Sequence, residues 1–473
     1  MKRYNMLEDR PGPSLLIFAL PIILGNLFQQ FYNMVDTMVV GQCLGVTSLA
    51  AVGSTGSINF MINGFCIGAA TGFAIPVAQR MGAGDFSQMR RYVANAAYLS
   101  ALFALVLTVA TGLLCRAILT VMQTPADIFD GAYIYIFIIF MGIPTTFLYN
   151  LLAGIIRSLG DSRAPVYFLA LSSVLNIFLD FAFILWFHTG VAGAAIATVV
   201  SQGISGVACL AYMWKKYPIL RMTREERRLD PDTCRHLCIM GVPMGLQYSI
   251  TAIGSIVLQA AVNGLGSTYV AAVAAGSKLF QLLCCPFDAM GATMATYCGQ
   301  NVGALKLGRL GQGIRSCTLL GVICSGAILL SMVLFSGQCA MLFLDPKEPQ
   351  LELLRSLTSQ YILINSAFCI PLSLVNIVRF SIQGMGYSVF AILAGVLEMA
   401  ARVGVAYFLV PPLGYAAACF ASPAAWISAD AFLIPACMLC IARLRRRYPA
   451  EDGTPQQVSA PARQSCGERP APM

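Results

Sequence analysis

Charged side chains are scarce in this sequence. Only 11% of the 473 residues are Asp, Glu, Lys or Arg, histidine occurs twice, and hydrophobic residues make up 58%. Soluble domains carry about 25% charged residues, so this chain has too few polar groups to cover a globular surface. The shortage excludes a soluble enzyme, a secreted disulfide-rich domain and an intrinsically disordered chain.

Motifs for several kinds of chemistry are missing as well. The sequence has no Gly-x-x-x-x-Gly-Lys-Ser/Thr phosphate loop, and not even a Gly-Lys dipeptide, which argues against ATP hydrolysis. Neither histidine lies near a Ser or Cys in a recognisable nucleophile motif. We therefore expect no enzymatic activity and no cofactor, and an ion gradient as the source of energy for any work done.

Long apolar runs account for most of the chain. A bilayer-spanning helix needs about 20 mostly apolar residues, and runs bounded by Gly, Pro or charge predict twelve spans. The predicted spans are 15–40, 50–78, 92–114, 131–156, 164–187, 192–214, 238–262, 270–298, 312–335, 356–380, 388–410 and 414–442. The sequence thus predicts an all-α polytopic membrane protein.

The basic residues predict how the chain is oriented. If the N-terminus is cytoplasmic, 25 of the 30 lysine and arginine residues fall in segments on the cytoplasmic side. This asymmetry is the positive-inside pattern, and it predicts a multi-pass protein with both termini in the cytoplasm. The scatter of basic residues also argues against a nucleic-acid partner.

The two halves of the chain repeat each other. A shift of 221 residues aligns Gln79-x-x-Gly82-Ala83 with Gln300-x-x-Gly303-Ala304, and a slightly larger shift aligns Gly160 with Gly386. Six spans separate the repeats, so both have the same orientation in the membrane. The pattern predicts two six-helix bundles related by a pseudo-twofold axis along the membrane normal, with a cavity between them. The predicted divisions are a bundle at 1–214, a cytoplasmic linker at 215–237, a second bundle at 238–443 and a disordered tail at 444–473.

Acidic residues inside spans point to function, because a charge in the membrane is costly unless it is paired or hydrated. Asp36 ends a polar stripe on the first helix, and Asp180 shares a face with Asn176 on the fifth. With Thr198 on the sixth helix, these side chains offer oxygen ligands for a proton or for Na⁺. No other metal site is expected. The alternative is hydrogen bonding between helices without a role in transport.

Other polar side chains in the spans are candidates to line the cavity. They are Asn26, Gln30, Asn33, Gln202, Gln247, Thr251, Lys278 and Gln281. The repeat counterparts of Asp36 and Asp180 are Val257 and Ala406, so any ion site belongs to the first bundle alone. Glu398 and Arg402, four residues apart, are expected to neutralise each other. The sequence assigns no role to Asp288 or Asp430.

Several motifs resemble those of the multidrug and toxic compound extrusion (MATE) transporters. These are Phe31-Tyr-Asn-Met-Val-Asp36-Thr37, Pro76-Val-Ala-Gln79-Arg-Met-Gly82-Ala83, Arg157-Ser-Leu-Gly160-Asp161 and Tyr297-Cys-Gly-Gln300-Asn301-Val-Gly303-Ala304. The chain most resembles the prokaryotic DinF-like branch. That resemblance implies that Asp36, Asn176, Asp180 and Thr198 form the coupling site for H⁺ or Na⁺.

The resemblance also implies a function. We expect a multidrug efflux transporter of the bacterial cytoplasmic membrane, which exchanges H⁺ or Na⁺ for organic, often cationic and amphiphilic compounds by alternating access. Its partners would be drug-like solutes and the lipid bilayer, and it would function as a monomer. A lipid-linked oligosaccharide flippase of the same superfamily is the main alternative, and a wider, basic central cavity would favour it. A membrane-embedded transferase is a further alternative.

Overall fold

The structure is a computed structural model that describes residues 5–342 and 350–449, and the regular secondary structure of these residues is helical. The first half contains α1 Pro11–Leu44, α2 Val46–Ser54, α3 Gly56–Ala83, α4 Phe86–Val121, α5 Phe129–Met141, α6 Ile143–Ser158, α7 Arg163–Phe181 and α8 Val191–Lys216. The second half contains α9 Pro231–Asn263, α10 Ser267–Gly303, α11 Gly308–Met341, α12 Leu351–Ala367, α13 Cys369–Gly384, α14 Val389–Gly404, α15 Val410–Leu413 and α16 Tyr415–Arg447.

The twelve predicted spans are present. Ten helices of the described residues are long and apolar enough to cross a membrane, and two bent pairs, α5 with α6 and α12 with α13, complete the set. The pairs bend by 44° and 49°. Pro144 and Pro371 lie just after these breaks, where a proline lacks the N–H of a continuous helix and its ring clashes with the preceding turn. The chain is a multi-pass membrane protein.

The internal repeat extends to the backbone. A π-helical turn follows α7 at Ala182–Trp186, and another follows α14 at Val405–Leu409. Glycines with positive φ also occur in matching loops of the two halves. They are Gly45 (φ 84°) and Gly266 (φ 113°), Gly160 (φ 88°) and Gly386 (φ 96°), and Gly190 (φ 62°) and Gly414 (φ 63°).

Alternating helix directions define two ends of the molecule. We call the end that carries residues 217–230 the linker end and the opposite one the far end. The linker is anchored on α4, because Glu226 accepts hydrogen bonds from Arg90 Nη2 (2.6 Å) and Ser87 Oγ (2.9 Å). α16 continues to Arg447, so the first residues of the predicted tail are helical. The rest of the tail, 450–473, lies outside the described residues.

Two main apolar core clusters, one mostly in each half, form the interior, and the halves meet along close-packed helices. The largest core cluster draws its buried residues from 39–237, and the second draws its own from 280–444 together with the start of α1. Between the halves, α3 packs on α9 through Gly64, Gly68 and Gly72. A Cβ at Gly68 would lie 2.5 Å from the Met244 carbonyl oxygen, so this contact requires glycine. The bundle boundaries at 1–214 and 238–443 remain a prediction.

Candidate functional site

A cavity of about 720 Å³ lies between the halves. It extends from Gly56, at the far-end start of α3, to Ser158, where α6 ends. Most of its wall comes from the first half, and α9, α10 and α13 supply the remainder. A space of this size and depth accommodates a drug-sized organic molecule.

The polar stripe of α1 faces this cavity. Asn26, Gln30, Asn33 and Asp36 all belong to its lining. They fall on one helical face because residues three and four apart are neighbours on an α-helix. The apolar opposite face of α1 includes the exposed Leu24.

Asp36 and Asp180 come together from different helices. Their carboxyl groups lie within hydrogen-bonding reach of each other. Asp36 is half-buried on the cavity wall, whereas Asp180 is fully buried. In the described structure, Oδ1 of each residue has no hydrogen-bond partner. The pair therefore presents acceptor oxygens that the protein leaves free for a proton or a cation.

Asn176 and Thr198 complete this cluster. When the Asn176 amide nitrogen faces Asp180 Oδ2 (3.3 Å), its oxygen faces the Thr198 backbone N–H (3.2 Å). Thr198 also lines the cavity. The structure thus brings together all four residues of the predicted coupling site. The π-helical turn that begins two residues after Asp180 lies in the last turn of this span, and such turns are frequent at functional sites.

Sequence reasoning did not assign two tyrosines that neighbour the carboxyl pair. Tyr32 and Tyr135 line the cavity close enough to interact electrostatically with both Asp36 and Asp180. Tyr135 lies in the largely apolar α5, and no local pattern there indicates that it neighbours the carboxyl pair. Asn59 and Asn63, which bond to each other and line the cavity, could have been found from their four-residue spacing on α3.

The remaining candidates for the cavity wall divide into two groups. Gln202 lines it and accepts a hydrogen bond from Thr146 Oγ1 (3.1 Å), and Gln281 lines it from α10. Gln247 does not line the cavity. It is buried, and its Oε1 accepts a hydrogen bond from Gln383 Nε2 (2.8 Å).

Thr251 and Lys278 also lie outside the wall. They are nearer the far end than the lining residues of α9 and α10, and Lys278 is exposed.

Two arginines differ from their predicted positions. The positive-inside count includes both Arg157 and Arg379 on the cytoplasmic side, Arg157 just beyond the predicted span 131–156 and Arg379 at the end of the predicted span 356–380. Arg379 instead lies inside α13 and forms an ion pair with Glu398, whose second oxygen is 3.6 Å from Arg402. Arg157 lines the cavity. The pairing of Glu398 with Arg402 is as expected, and Arg379 is the partner that sequence spacing could not supply.

Two further acidic residues inside the spans of the second half have different surroundings. Asp288 lines the cavity, and Asp430 is buried. Both interact electrostatically with Arg379. Arg379 therefore interacts both with the cavity-lining Asp288 and with the buried charged residues of the second half.

A family model described as MatE matches residues 21–182 and 243–408. The chain belongs to the MatE family. The two matched segments correspond to the two halves of the repeat. MatE proteins are transporters, so this member is not an enzyme.

Curated relatives and solved structures agree with the assignment. The chain is 30% identical over 342 residues to "Probable multidrug resistance protein YoeA" of Bacillus subtilis, covering 71% of this chain and 74% of that protein. It is 30% identical over 308 residues to "Probable multidrug resistance protein YpnP" of the same organism, covering 64% and 68%.

A solved structure shares the fold. It is titled an outward-facing conformation of a multidrug resistance MATE family transporter, and it superposes with a TM-score of 0.86 at 21% identity. The superposition covers 94% of this chain and 99% of that one.

The linker end of this MatE transporter is closed. Gln79 Nε2 donates to the Gly384 carbonyl (3.0 Å), and Gln300 Nε2 donates to the Ser158 carbonyl (2.8 Å). Gly82 packs directly on the Gln300 backbone, and Gly303 packs on that of Gln79. These contacts lie beyond Ser158, the deepest point of the cavity, and separate it from the linker end.

Proposed function

We propose that the protein is a secondary active multidrug exporter, which exchanges H⁺ or Na⁺ for drug-like organic compounds. Its relatives are named as multidrug resistance proteins, and its cavity has the volume for such compounds. The observation that carries the proposal is the contact between the carboxyl groups of Asp36 and Asp180 at the cavity wall.

Two adjacent carboxylates inside a helix bundle repel each other strongly, because the surroundings screen their charges weakly. A proton shared between them, or a bound Na⁺, removes this repulsion. Asn176 and Thr198 add neutral oxygen atoms that suit Na⁺. The ion and the solute compete for one cavity, so the loading of one favours release of the other.

Alternating access would use the linker end as a gate. We propose that this end faces the cytoplasm of a bacterial cell, as the positive-inside pattern predicts, with both termini on that side. The described conformation would then be open to the outside. An ion that binds one conformation more tightly shifts the equilibrium by that difference in affinity and no more.

The charge of the cavity lining favours an antiporter over a lipid-linked oligosaccharide flippase. A basic cavity would favour a flippase, whereas two acidic residues, Asp36 and Asp288, and one basic residue, Arg157, line this one. We propose further that the transporter works as a monomer, because a single chain supplies both halves of the cavity wall.

Flux in proteoliposomes tests the proposal. Export of a fluorescent dye is measured under separately imposed pH and Na⁺ gradients for the wild type, Asp36→Asn and Asp180→Asn. Asn keeps the size of the side chain but holds no exchangeable charge, so both variants are expected to lose gradient-driven export. Asp130→Asn is the matched control, since Asp130 is exposed at the start of α5. Normal gradient-driven export by either site variant would overturn the assignment.

A further inference from the structure

Arg157 places a positive charge at the deep end of the cavity. It lies one residue before the end of α6, half-buried, and it is the single Lys or Arg among the described lining residues. Within the described parts of the chain, its guanidinium has no hydrogen bond or ion pair. By contrast, the buried Arg379 is paired with Glu398, and Arg90 is paired with Glu226.

An unpaired guanidinium in such a site needs explanation. Arg remains charged at any physiological pH and carries five N–H donors, and even a partly desolvated charge is stabilised by a partner of opposite sign. The acids of the cavity wall are not paired with Arg157, because Asp36 contacts Asp180 and Asp288 lies close enough to Arg379 to interact with it electrostatically. Arg157 has Tyr149 and Tyr248 as polar neighbours, and the Tyr149 hydroxyl donates to the Pro165 carbonyl (2.9 Å).

The second half shows that packing does not require arginine at this position. The repeat that aligns Gly160 with Gly386 aligns Arg157 with Gln383. Gln383 is buried, and its amide donates to Gln247 Oε1. A neutral side chain with a protein partner therefore fills the equivalent position, whereas Arg157 faces open space.

We propose that Arg157 binds a carboxylate group of the exported compound. Arginine and carboxylate match in a bidentate geometry with two parallel N–H···O bonds. Asp288 lies on the same cavity wall as a partner for a cationic group, and Tyr248 interacts with both Arg157 and Asp288. The substrate class is thus aromatic or amphiphilic compounds that carry a carboxylate together with a positive charge. This inference rests on the proposed export function and specifies its substrates.

A pair of dyes isolates the carboxylate. One is a rhodamine with a free carboxyl group, a zwitterion at neutral pH, and the other is its methyl ester, a cation with the same ring system. Binding to the purified full-length protein is followed by fluorescence polarisation for the wild type and for Arg157→Gln. Glutamine is the residue that the second half accommodates at this position, and binding of the ester serves as the internal test of folding.

Arg157→Gln should weaken binding of the acid dye about tenfold or more, the typical worth of a charge-assisted hydrogen bond, without weakening binding of the ester. Arg157→Lys retains the positive charge, so it should lose less affinity for the acid dye than Arg157→Gln does. The control is Arg315→Gln, the same change at an exposed position of α11 outside the cavity, and it should leave both affinities unchanged.

The outcomes separate the two proposals. If Arg157→Gln changes both affinities equally, or neither, the carboxylate site is wrong while the export function stands. The carboxylate site is likewise wrong if the glutamine and lysine variants lose affinity equally. If the wild type binds neither dye and transports neither, both this inference and the proposed function fail.

Discussion

Gln79 and Gln300 make the same hydrogen bond in opposite directions across the molecule. They lie 221 residues apart, at equivalent positions of the repeat, and each donates to a backbone carbonyl of the other half. The acceptors, Gly384 and Ser158, are also repeat equivalents. The closure of the linker end therefore has the pseudo-twofold symmetry of the fold, and neither half provides it alone.

Removal of these amides is expected to loosen the closure. Each bond contributes about 1 kcal/mol net, or about fivefold in the ratio of closed to open states. The double variant Gln79→Ala, Gln300→Ala should broaden and lengthen the distance between spin labels at the exposed positions 225 and 312, measured by pulsed electron resonance. Gln88→Ala, in which no side-chain bond is lost, is the control. An unchanged distance distribution in the double variant would show that the two amides do not hold the gate.

The glycine contact between α3 and α9 predicts a loss of stability on enlargement. A Cβ at Gly68 would press on the Met244 backbone, which cannot move aside as a flexible side chain would. Gly68→Ala should cost about 1–3 kcal/mol, the typical cost of overpacking, and lower the melting temperature in detergent. Gly326→Ala on α11 meets no atom within 4 Å and should not lower it. Equal melting temperatures of the two variants would contradict the close packing of α3 on α9.

The attachment of the linker is expected to depend on pH. Its hydrogen-bonded partner Arg90 lowers the pKa of Glu226 from 4.5 to about 2. A carboxyl group with a lowered pKa stabilises the folded state above its unfolded pKa, and this contribution is lost as the pH falls from 4.5 towards 2. The difference in melting temperature between the wild type and Glu226→Gln should therefore be present at pH 7 and shrink below pH 4.5. Glu225→Gln, at an exposed neighbour, should show no such trend.

The ion pairs of Arg379 and Arg402 with Glu398 are expected to stabilise the second half and to have no part in ion-coupled transport. Glu398→Gln leaves two buried arginines without their carboxylate, and loss of one partner of a buried ion pair costs about 3–5 kcal/mol. The melting temperature should fall sharply, whereas Glu352→Gln, at an exposed site, should leave it unchanged. Protein that remains folded should still require an ion gradient for export. If Glu398→Gln is stable and exports dye without an ion gradient, the coupling site would have to be assigned to the second half.

The sequence predicted the spans, the repeat and the grouping of Asp36 with Asp180 because each leaves a periodic or local signal. Apolar runs of sufficient length mark the helices, and Asp36 and Asp180 stand out because charges are rare in spans. Arg379 and Arg157 were counted with the cytoplasmic residues because a charge near a helix end fits either a loop or the interior, and only packing decides. The surroundings of Tyr135 and of Lys278 could not be predicted for the same reason, because they depend on how the helices pack against each other.

The most direct test of the account is whether a solute gradient alone can drive the coupling ion uphill. Proteoliposomes are given a gradient of dye but no gradient of H⁺ or Na⁺, and the movement of both ions is recorded with an internal pH probe and with labelled sodium. The wild type should move one of the ions against the flow of dye, and Asp180→Asn should pass dye downhill with no ion movement. Ion movement in Asp180→Asn equal to that of the wild type, or none in the wild type while dye is transported, would contradict coupling through the Asp36–Asp180 pair.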